Sequence, residues 1–429
     1  MKMPLPEQVR VEALAELAKC NKCGFCLTNC PTYNVTGVEW EVARGRLALA
    51  RAALDGELQA ADLPDAIWSC ILCRNCLPHC PPGVKMDRVM VAVRAALGEQ
   101  LGVSPLRRAI IRGLLPRRGR LAAAATVGSL GQGLGLDRLL ALWPDRRLRT
   151  AQRYAPRLTS PASVRRRIRA EGLYEGGQDA EVAVLLGCAT EMGLPRVTLA
   201  LGYLLRELGI TATLLDAACC GLPAYGSGDL DGARLAARGV LRAVGGMPRL
   251  KALITPCVSC ASYLEEYPQL FAGQPEAEAE RAAALAELIK PASVFLAGAG
   301  LVEMLGRSEG GSLGRHTFHD PCHLAHYVGG KEQVREVLRA LPGGEYVEMP
   351  GSDSCCGAGG SFVITHPGHS DAVLERKVAS IAATGAEVVT TACPGCLLQL
   401  KRGVQDLPGV RAQHLLEVAW DALSAGRKP

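Results

Sequence analysis

The chain has 429 residues, a net charge of +6 and 4% aromatic residues. That length provides for two or three domains, each with its own core, and so few aromatic residues leave Leu, Val and Ala to do the packing. Nothing aromatic interleaves the basic residues in a groove-reading pattern, which argues against a nucleic-acid binder.

The chain starts MKMPLPEQVRVEALAELAKC, an amphipathic pattern without the apolar core of a secretory signal. We expect a reducing cytoplasm and thiols in use as such, because a chain of this size does not need disulfide staples. All 18 cysteines fall into four patterned sets. Cys20, Cys23, Cys26 and Cys30 form CNKCGFCLTNCP, and Cys70, Cys73, Cys76 and Cys80 form CILCRNCLPHCPP. Both are the C-x2-C-x2-C-x3-C-P run that holds 4Fe–4S cubanes. Three thiolates on one tight loop reach three corners of a cube, and the fourth must come from elsewhere. In two-cluster ferredoxins the cysteine before proline serves the other cluster. Carried onto this chain, that pairs Cys20, Cys23 and Cys26 with Cys80, and Cys70, Cys73 and Cys76 with Cys30. Zinc is the competing use of such thiols, but tetrahedral sets would need only four of these eight. Between the runs, 42–54 has helical spacing and stops near Asp55-Gly56, and 84–97 reads likewise. Residues 1–100 are therefore expected to be a small helical two-cluster domain.

Residues 101–178 form a connector broken by prolines at 105, 116, 144, 156 and 161, so short helices are expected. Within 101–170 lie 16 Arg, no Lys and only Asp137 and Asp145, a local charge of +14. The plain reading is a solvated linker; the sharper one is a docking surface for a partner subunit or for anionic lipid at the inner membrane face. The apolar stretch 121–136 is broken by four glycines and falls short of the ~20 residues that span a bilayer.

From residue 179 the chain is duplicated, with one repeat in 179–300 and the other in 301–429. In the first, the apolar run EVAVLLGC, a helix over 196–208, the strand TATLLDAA, a helix near 229–244 and the strand ALITP follow in order. They carry Cys188, the pair Cys219-Cys220 and then Cys257 and Cys260. The second replays this order with strands HTFHDP, EYVEMP and EVVTTA and helices at about 331–340 and 370–383. It carries Cys322, Cys355-Cys356, Cys393 and Cys396. Such alternation predicts parallel α/β packing, with sites outside the carboxyl ends of the strands. The two repeats are expected to face each other about a pseudo-two-fold. Overall the fold class is multidomain: a helical ferredoxin-type domain followed by duplicated parallel α/β repeats.

Vicinal cysteines suit two irons of one cluster better than one tetrahedral zinc; a strained disulfide or a buried dithiol is the competing use. His316, His319, His323, His326 and His366 gather near the second set, with Asp320. Ligation or proton relay is one reading of them; hydrogen bonding around the sulfurs, or plain exposure, is the favoured one. No G-x-G-x-x-G stands between strand and helix, so no flavin or nicotinamide site is expected on this chain.

The repeats resemble the CCG (cysteine-rich) domains of heterodisulfide reductases. CNKCGFCLTNCPTYNVTGVEWEVARGRLALA, CILCRNCLPHCPPGV and SCCGAGGSFVITHP resemble the iron–sulfur subunit of bacterial glycolate oxidase, across nearly the whole chain. The resemblance implies electron transfer from FAD on partner subunits, which oxidise glycolate and often D-lactate, to a membrane quinone or another carrier. It implies two 4Fe–4S clusters and, in the repeats, one or two non-cubane clusters. The completeness of both five-cysteine sets is typical of heterodisulfide reductase, where a disulfide is reduced at such a cluster. The iron–sulfur subunit of anaerobic glycerol-3-phosphate dehydrogenase is a further relative.

Overall fold

A computed structural model describes residues 7–138, 145–311 and 313–425 of the chain. Pro144 and the first six residues of the expected amphipathic start lie outside the described residues.

The N-terminal region is helical, as its apolar spacing requires. Its main helices are α1 (Glu7–Ala18), α2 (Ala43–Asp55) and α3 (Met86–Leu101), and α2 stops at Gly56, whose positive φ of 86° closes the last turn. These helices pack Ala13, Leu17, Leu47, Ala50, Leu54, Val89, Met90 and Val93 into one core, with the cysteine loops against its edge. Small residues at the helix contacts let the loops approach closely.

The duplicated half contains two four-stranded, all-parallel sheets. The first has β1 (Val182–Val184), β2 (Ala212–Leu214), β3 (Ala252–Thr255) and β4 (Ile289–Pro291) in the order β2-β1-β3-β4. The second has β5 (Gly314–Phe318), β6 (Gly344–Tyr346), β7 (Val388–Thr391) and β8 (Arg411–His414) in the matching order β6-β5-β7-β8. The fourth strand of each sheet is absent from the sequence reading. Residues 289–291 and 411–414 are too short and too polar to show periodicity, and pairing to β3 and β7 makes them strands.

One continuous core runs through both repeats. They meet near the carboxyl ends of β3 and β7. There the amide of Val258 donates to the carbonyl of Ala392 at 3.4 Å, and His414 Nε2 faces the Pro256 carbonyl at 3.0 Å. At the far side Tyr203 stacks on Trp420 with centroids 4.5 Å apart, beside the Arg196–Asp421 pair.

The connector forms short helices at Pro105–Arg108, Arg118–Gly133, Arg146–Tyr154 and Pro161–Ala170. Several of its arginines clamp it to the repeats: Arg112 to Asp229, Arg118 and Arg165 to Glu191, and Arg146 to Asp371. Part of the local positive charge thus has an intramolecular role, which the linker and docking readings both left out. Val127, Leu130 and Leu134 share one side of the 118–133 helix and are exposed. Among the described residues, no helix is long and apolar enough to cross a membrane.

Candidate iron–sulfur centres

The two cysteine runs fold as matching loops. The second residue after the first cysteine is left-handed in both, at Lys22 (φ 58°) and Leu72 (φ 58°). The residue after the second cysteine is left-handed too, at Gly24 (φ 89°) in one and Arg74 (φ 64°) in the other. Three of these four carry side chains, so the conformation costs energy and persists only because the surroundings impose it. It turns three sulfurs of each loop inward.

Each loop opens on a cavity. One is lined by Cys20, Cys23, Cys26 and Cys80, with Cys76 at its wall. The other is lined by Cys30, Cys70, Cys73 and Cys76. Each cavity therefore gathers three thiols from one run and the pre-proline cysteine of the other. Four thiolate donors around a space that side chains leave open are the chemistry a 4Fe–4S cube requires, so the residues fit that group.

Arginines stiffen this frame. Arg46 is buried and donates to the carbonyls of Ala66 and Glu41, to Thr32 and to Ser69, joining the two halves of the domain behind Cys30. Arg94 donates to the carbonyls of Cys70 and Ile67, and to that of Gly226 in the first repeat. Burial pulls its pKa down to about 10, which leaves it charged beside the cysteine loop.

Arg74 reaches furthest. It pairs with Asp87 at 2.7 Å and with Glu266 of the first repeat at 3.1 Å, donates to Ser262, and lies 3.9 Å from the ring centroid of Tyr327 in the second repeat. Burial opposes the Glu266 carboxylate, but Arg74, Tyr327 and Arg88 outweigh it and hold its pKa below the ordinary value. Asn75 Oδ1 and Asp87 Oδ1, next to Arg74, are buried without a hydrogen-bond partner.

In the repeats, every cysteine lies in the segment that follows a strand, the Cys355-Cys356 pair well beyond the end of β6. Cys188 and Cys322 begin the segments after β1 and β5, Cys257 caps the helix Val258–Leu264, and Cys393 caps Pro394–Gly403. Gly187 sits with φ 77° where a Cβ would come 3.2 Å from Cys260 Sγ, so only glycine lets the first set close this tightly. The pair glycines have positive φ as well, and a Cβ on Gly357 would meet the Ser370 carbonyl at 2.8 Å.

The thiols touch in a continuous series. Cys73 of the second cavity lies against Cys355; Cys355 touches Cys322 and Cys356; and Cys356 touches Cys396. Cys396 contacts Cys393, which contacts Cys257 across the pseudo-two-fold; Cys257 contacts Cys260, then Cys220, Cys219 and Cys188 follow. Hydrogen bonds from Cys219 and Cys260 draw the Cys220 thiol down to about 5. Cys355 and Cys393 are likewise held well below the usual thiol range, the first by Cys322, Cys356 and Cys73 and the second by Cys257 and Cys396. Eight of the ten cysteines of the repeats are buried, Cys188 and Cys322 partly so, and the two sets neighbour each other at Cys257 and Cys393. Nothing in the spacing of the repeats reports the Cys73–Cys355 contact.

The histidines divide. His316 faces the carbonyls of Gly314 and Leu338, and His323 faces the Leu72 carbonyl at 3.4 Å, joining the second repeat to the cysteine loop. His326 lies beside the Asp353 carbonyl and His366 beside Thr365. His319 alone lies among the sulfurs, close to Cys356 and Cys396. In Gly357-Ala-Gly-Gly360 a Cβ on Gly359 would meet the Ile71 side chain at 2.8 Å, so glycine there lets the second repeat approach the cysteine loop.

Fold and site together define an iron–sulfur protein made of a dicluster domain and a pair of cysteine-rich domains. The family described as "4Fe-4S dicluster domain" matches residues 16–84, and the family described as "Cysteine-rich domain" (CCG) matches residues 182–265 and again 316–401. The chain is 32% identical over 430 residues to the "Probable glycolate oxidase iron-sulfur subunit" of Bacillus subtilis (strain 168), spanning 96% of this chain and 95% of the relative. It is 26% identical over 437 residues to the "Glycolate oxidase iron-sulfur subunit" of Escherichia coli (strain K12), spanning 99% of both. "Lactate utilization protein A" of Geobacillus kaustophilus is 33% identical over 240 residues, 56% of this chain and 98% of the relative. The chain belongs to the glycolate oxidase iron-sulfur subunit family.

Arg74→Gln removes the cation that Asp87 and Glu266 share in a buried site, at a cost of about 3–5 kcal/mol. Thermal unfolding of the anaerobic protein should show a lowered midpoint, and limited proteolysis should release the N-terminal domain from the repeats.

Proposed function

We propose that this chain is the electron-relay subunit of a flavin-dependent 2-hydroxy-acid dehydrogenase complex, taking electrons from FAD on partner subunits that oxidise glycolate or D-lactate and passing them to a quinone or another carrier. The observation that supports this most is the run of neighbouring thiols, each shifting the next one's ionisation, from Cys73 at the second N-terminal cavity into both repeats. When bound, iron–sulfur clusters supply one-electron carriage at such thiolates.

On this reading Cys20, Cys23, Cys26 and Cys80 hold one 4Fe–4S cluster and Cys30, Cys70, Cys73 and Cys76 hold the other. The five-cysteine sets at Cys188, Cys219, Cys220, Cys257 and Cys260, and at Cys322, Cys355, Cys356, Cys393 and Cys396, hold non-cubane clusters. Arg46, Arg74 and Arg94 place fixed positive charge around the second cavity and offset its thiolates. Eight of the ten repeat cysteines are buried, which keeps most of these sulfurs away from water. Hydride abstraction from the hydroxy acid belongs to the flavin subunit. The domain division is the one the sequence suggests: 1–100, 101–178, 179–300 and 301–429. The chain works on the cytoplasmic side.

A second reading, reduction of a disulfide at the repeats, is favoured by the completeness of both five-cysteine sets. Iron and acid-labile sulfide on anaerobically purified protein bear on both. We expect more than the about 8 irons of two cubanes, and no glycolate-dependent dye reduction by the chain alone. Glycolate oxidation by the isolated chain at the rate of the complex would sink the relay assignment. Disulfide cleavage by the reduced chain would establish the second reading.

Cys23 is exposed, and exposed Phe25 and Trp40 flank its loop. This apolar rim suits docking of the flavin subunit. Phe25→Glu with Trp40→Glu should leave iron content unchanged and slow glycolate-driven reduction of the clusters at least tenfold, with stopped-flow absorbance as the measurement.

The exposed Val127, Leu130 and Leu134 on an arginine-rich connector suit an anionic lipid surface. Leu130→Glu with Leu134→Glu should abolish co-sedimentation with vesicles containing anionic phospholipid. Unchanged co-sedimentation would remove the membrane role from this face.

A further inference from the structure

The two repeats share their cysteines but not what surrounds them. Three residues before the first cysteine of each set stand Leu185 and His319; twenty-one residues after the second cysteine of each pair stand Leu241 and Lys377. All four are buried. Where the first repeat has two leucines, the second has an imidazole and an ammonium.

The imidazole is held in one orientation. His319 follows β5, and its backbone amide donates to the Thr390 carbonyl at 2.9 Å, which fixes the residue between β5 and β7. Its Nδ1 lies 3.2 Å from the Ser352 carbonyl. A carbonyl can only accept, so Nδ1 carries the proton and Nε2 keeps its lone pair. That carbonyl is fixed in turn by the Asp320 amide at 3.1 Å and by Lys377 Nζ at 3.3 Å. Metal-bound histidines characteristically use such a carbonyl to set tautomer and ring angle.

His319 is fully buried, yet its Nε2 has no hydrogen-bond partner. A buried polar atom left unpaired is costly. This one has Cys356 and Cys396 for neighbours, and the nitrogen and the two sulfurs all lie within 4.8 Å of one another. A nitrogen lone pair and two sulfurs that converge this closely are a donor set that a thiophilic metal ion takes once the thiols give up their protons. Donors on one tetrahedral metal, at bonds of about 2.0–2.3 Å, lie roughly 3.5–4 Å apart, so side-chain adjustment alone brings this trio to bonding geometry.

We infer that His319 Nε2 is an iron ligand of the cluster held by the second repeat, so that the two repeats hold chemically different centres: all thiolate in the first, mixed nitrogen and thiolate in the second. The inference rests on the reading that the repeats hold clusters. Where the nitrogen takes an iron position that one of the five thiolates would otherwise hold, the centre is less negative and easier to reduce. The second repeat, which touches Cys73, is then the more readily reduced of the two.

The test uses the full chain, purified anaerobically with its histidines labelled with the heavier nitrogen isotope, and pulsed EPR. Cubanes with four cysteines have no nitrogen ligand, so a strongly coupled histidine nitrogen reports on the repeats. We expect such a coupling, shifted by the isotope, and its loss in His319→Leu with the cubane signals intact. Leucine is what the first repeat carries at this place, so the fold accommodates it. Absence of a histidine coupling from the unmodified chain overturns the inference, as does a coupling that survives in His319→Leu. An iron content of two cubanes and no more overturns it too, together with the reading of the repeats as cluster sites, and leaves the role of the N-terminal cavities standing.

Discussion

The guanidinium of Arg74 is the fixed point of this molecule. It occupies a backbone conformation that glycine takes in the sister loop, between two cysteines of the second cavity. It is held there by carboxylates from its own domain and from the first repeat, and by an aromatic face from the second. Three parts of the chain therefore converge on one cation. The energy that keeps a non-glycine residue left-handed comes from that convergence, because a buried arginine with two carboxylates is far more costly to disturb than a loop is to strain. The position of Cys73 against Cys355 follows from it.

The pseudo-symmetry of the repeats sets the second constraint. Two parallel sheets of the same strand order meet near the ends of β3 and β7, where the cysteine-bearing helices begin. Sites outside the carboxyl ends of parallel strands are general; two such ends facing each other merge them. Symmetry accounts for the closeness of Cys257 and Cys393, and it also makes the departures from symmetry informative, as at His319 and Lys377.

Much of this was legible in the residues. The two C-x2-C-x2-C-x3-C-P runs, by likeness to two-cluster ferredoxins, pair Cys80 with the first loop and Cys30 with the second, and each of those cysteines lines the cavity at the other loop. The repeat order of strands and helices was legible because Val182–Val184 and Val388–Thr391 are short apolar runs with glycine or cysteine after them. The strands β4 and β8 were not, since Lys290 and Gln413 break any apolar pattern and only pairing defines them. Nor were the contacts between distant segments: Arg74 with Glu266, Cys73 with Cys355, and Gly359 with Ile71. A local pattern carries no information on which loop another loop will meet. The histidines of the second repeat were visible as a group, but only the structure separates His319, which faces sulfur, from His316, which faces carbonyls.

The contact between Cys73 and Cys355 has a consequence for how the protein is made. The N-terminal cysteine loops are made before the repeats and their cavities are lined by their own domain, so that domain can gather its cysteines first, although Arg74 gains Glu266 and Tyr327 only later. The partner of Cys73 is made only after the connector and the whole first repeat, and the second sheet is complete only when β8 has been added. For that interval Cys73, Ile71 and Arg74 face solvent on a half-finished surface. Late docking of the second repeat is then the step that covers this surface and brings Cys355 to Cys73.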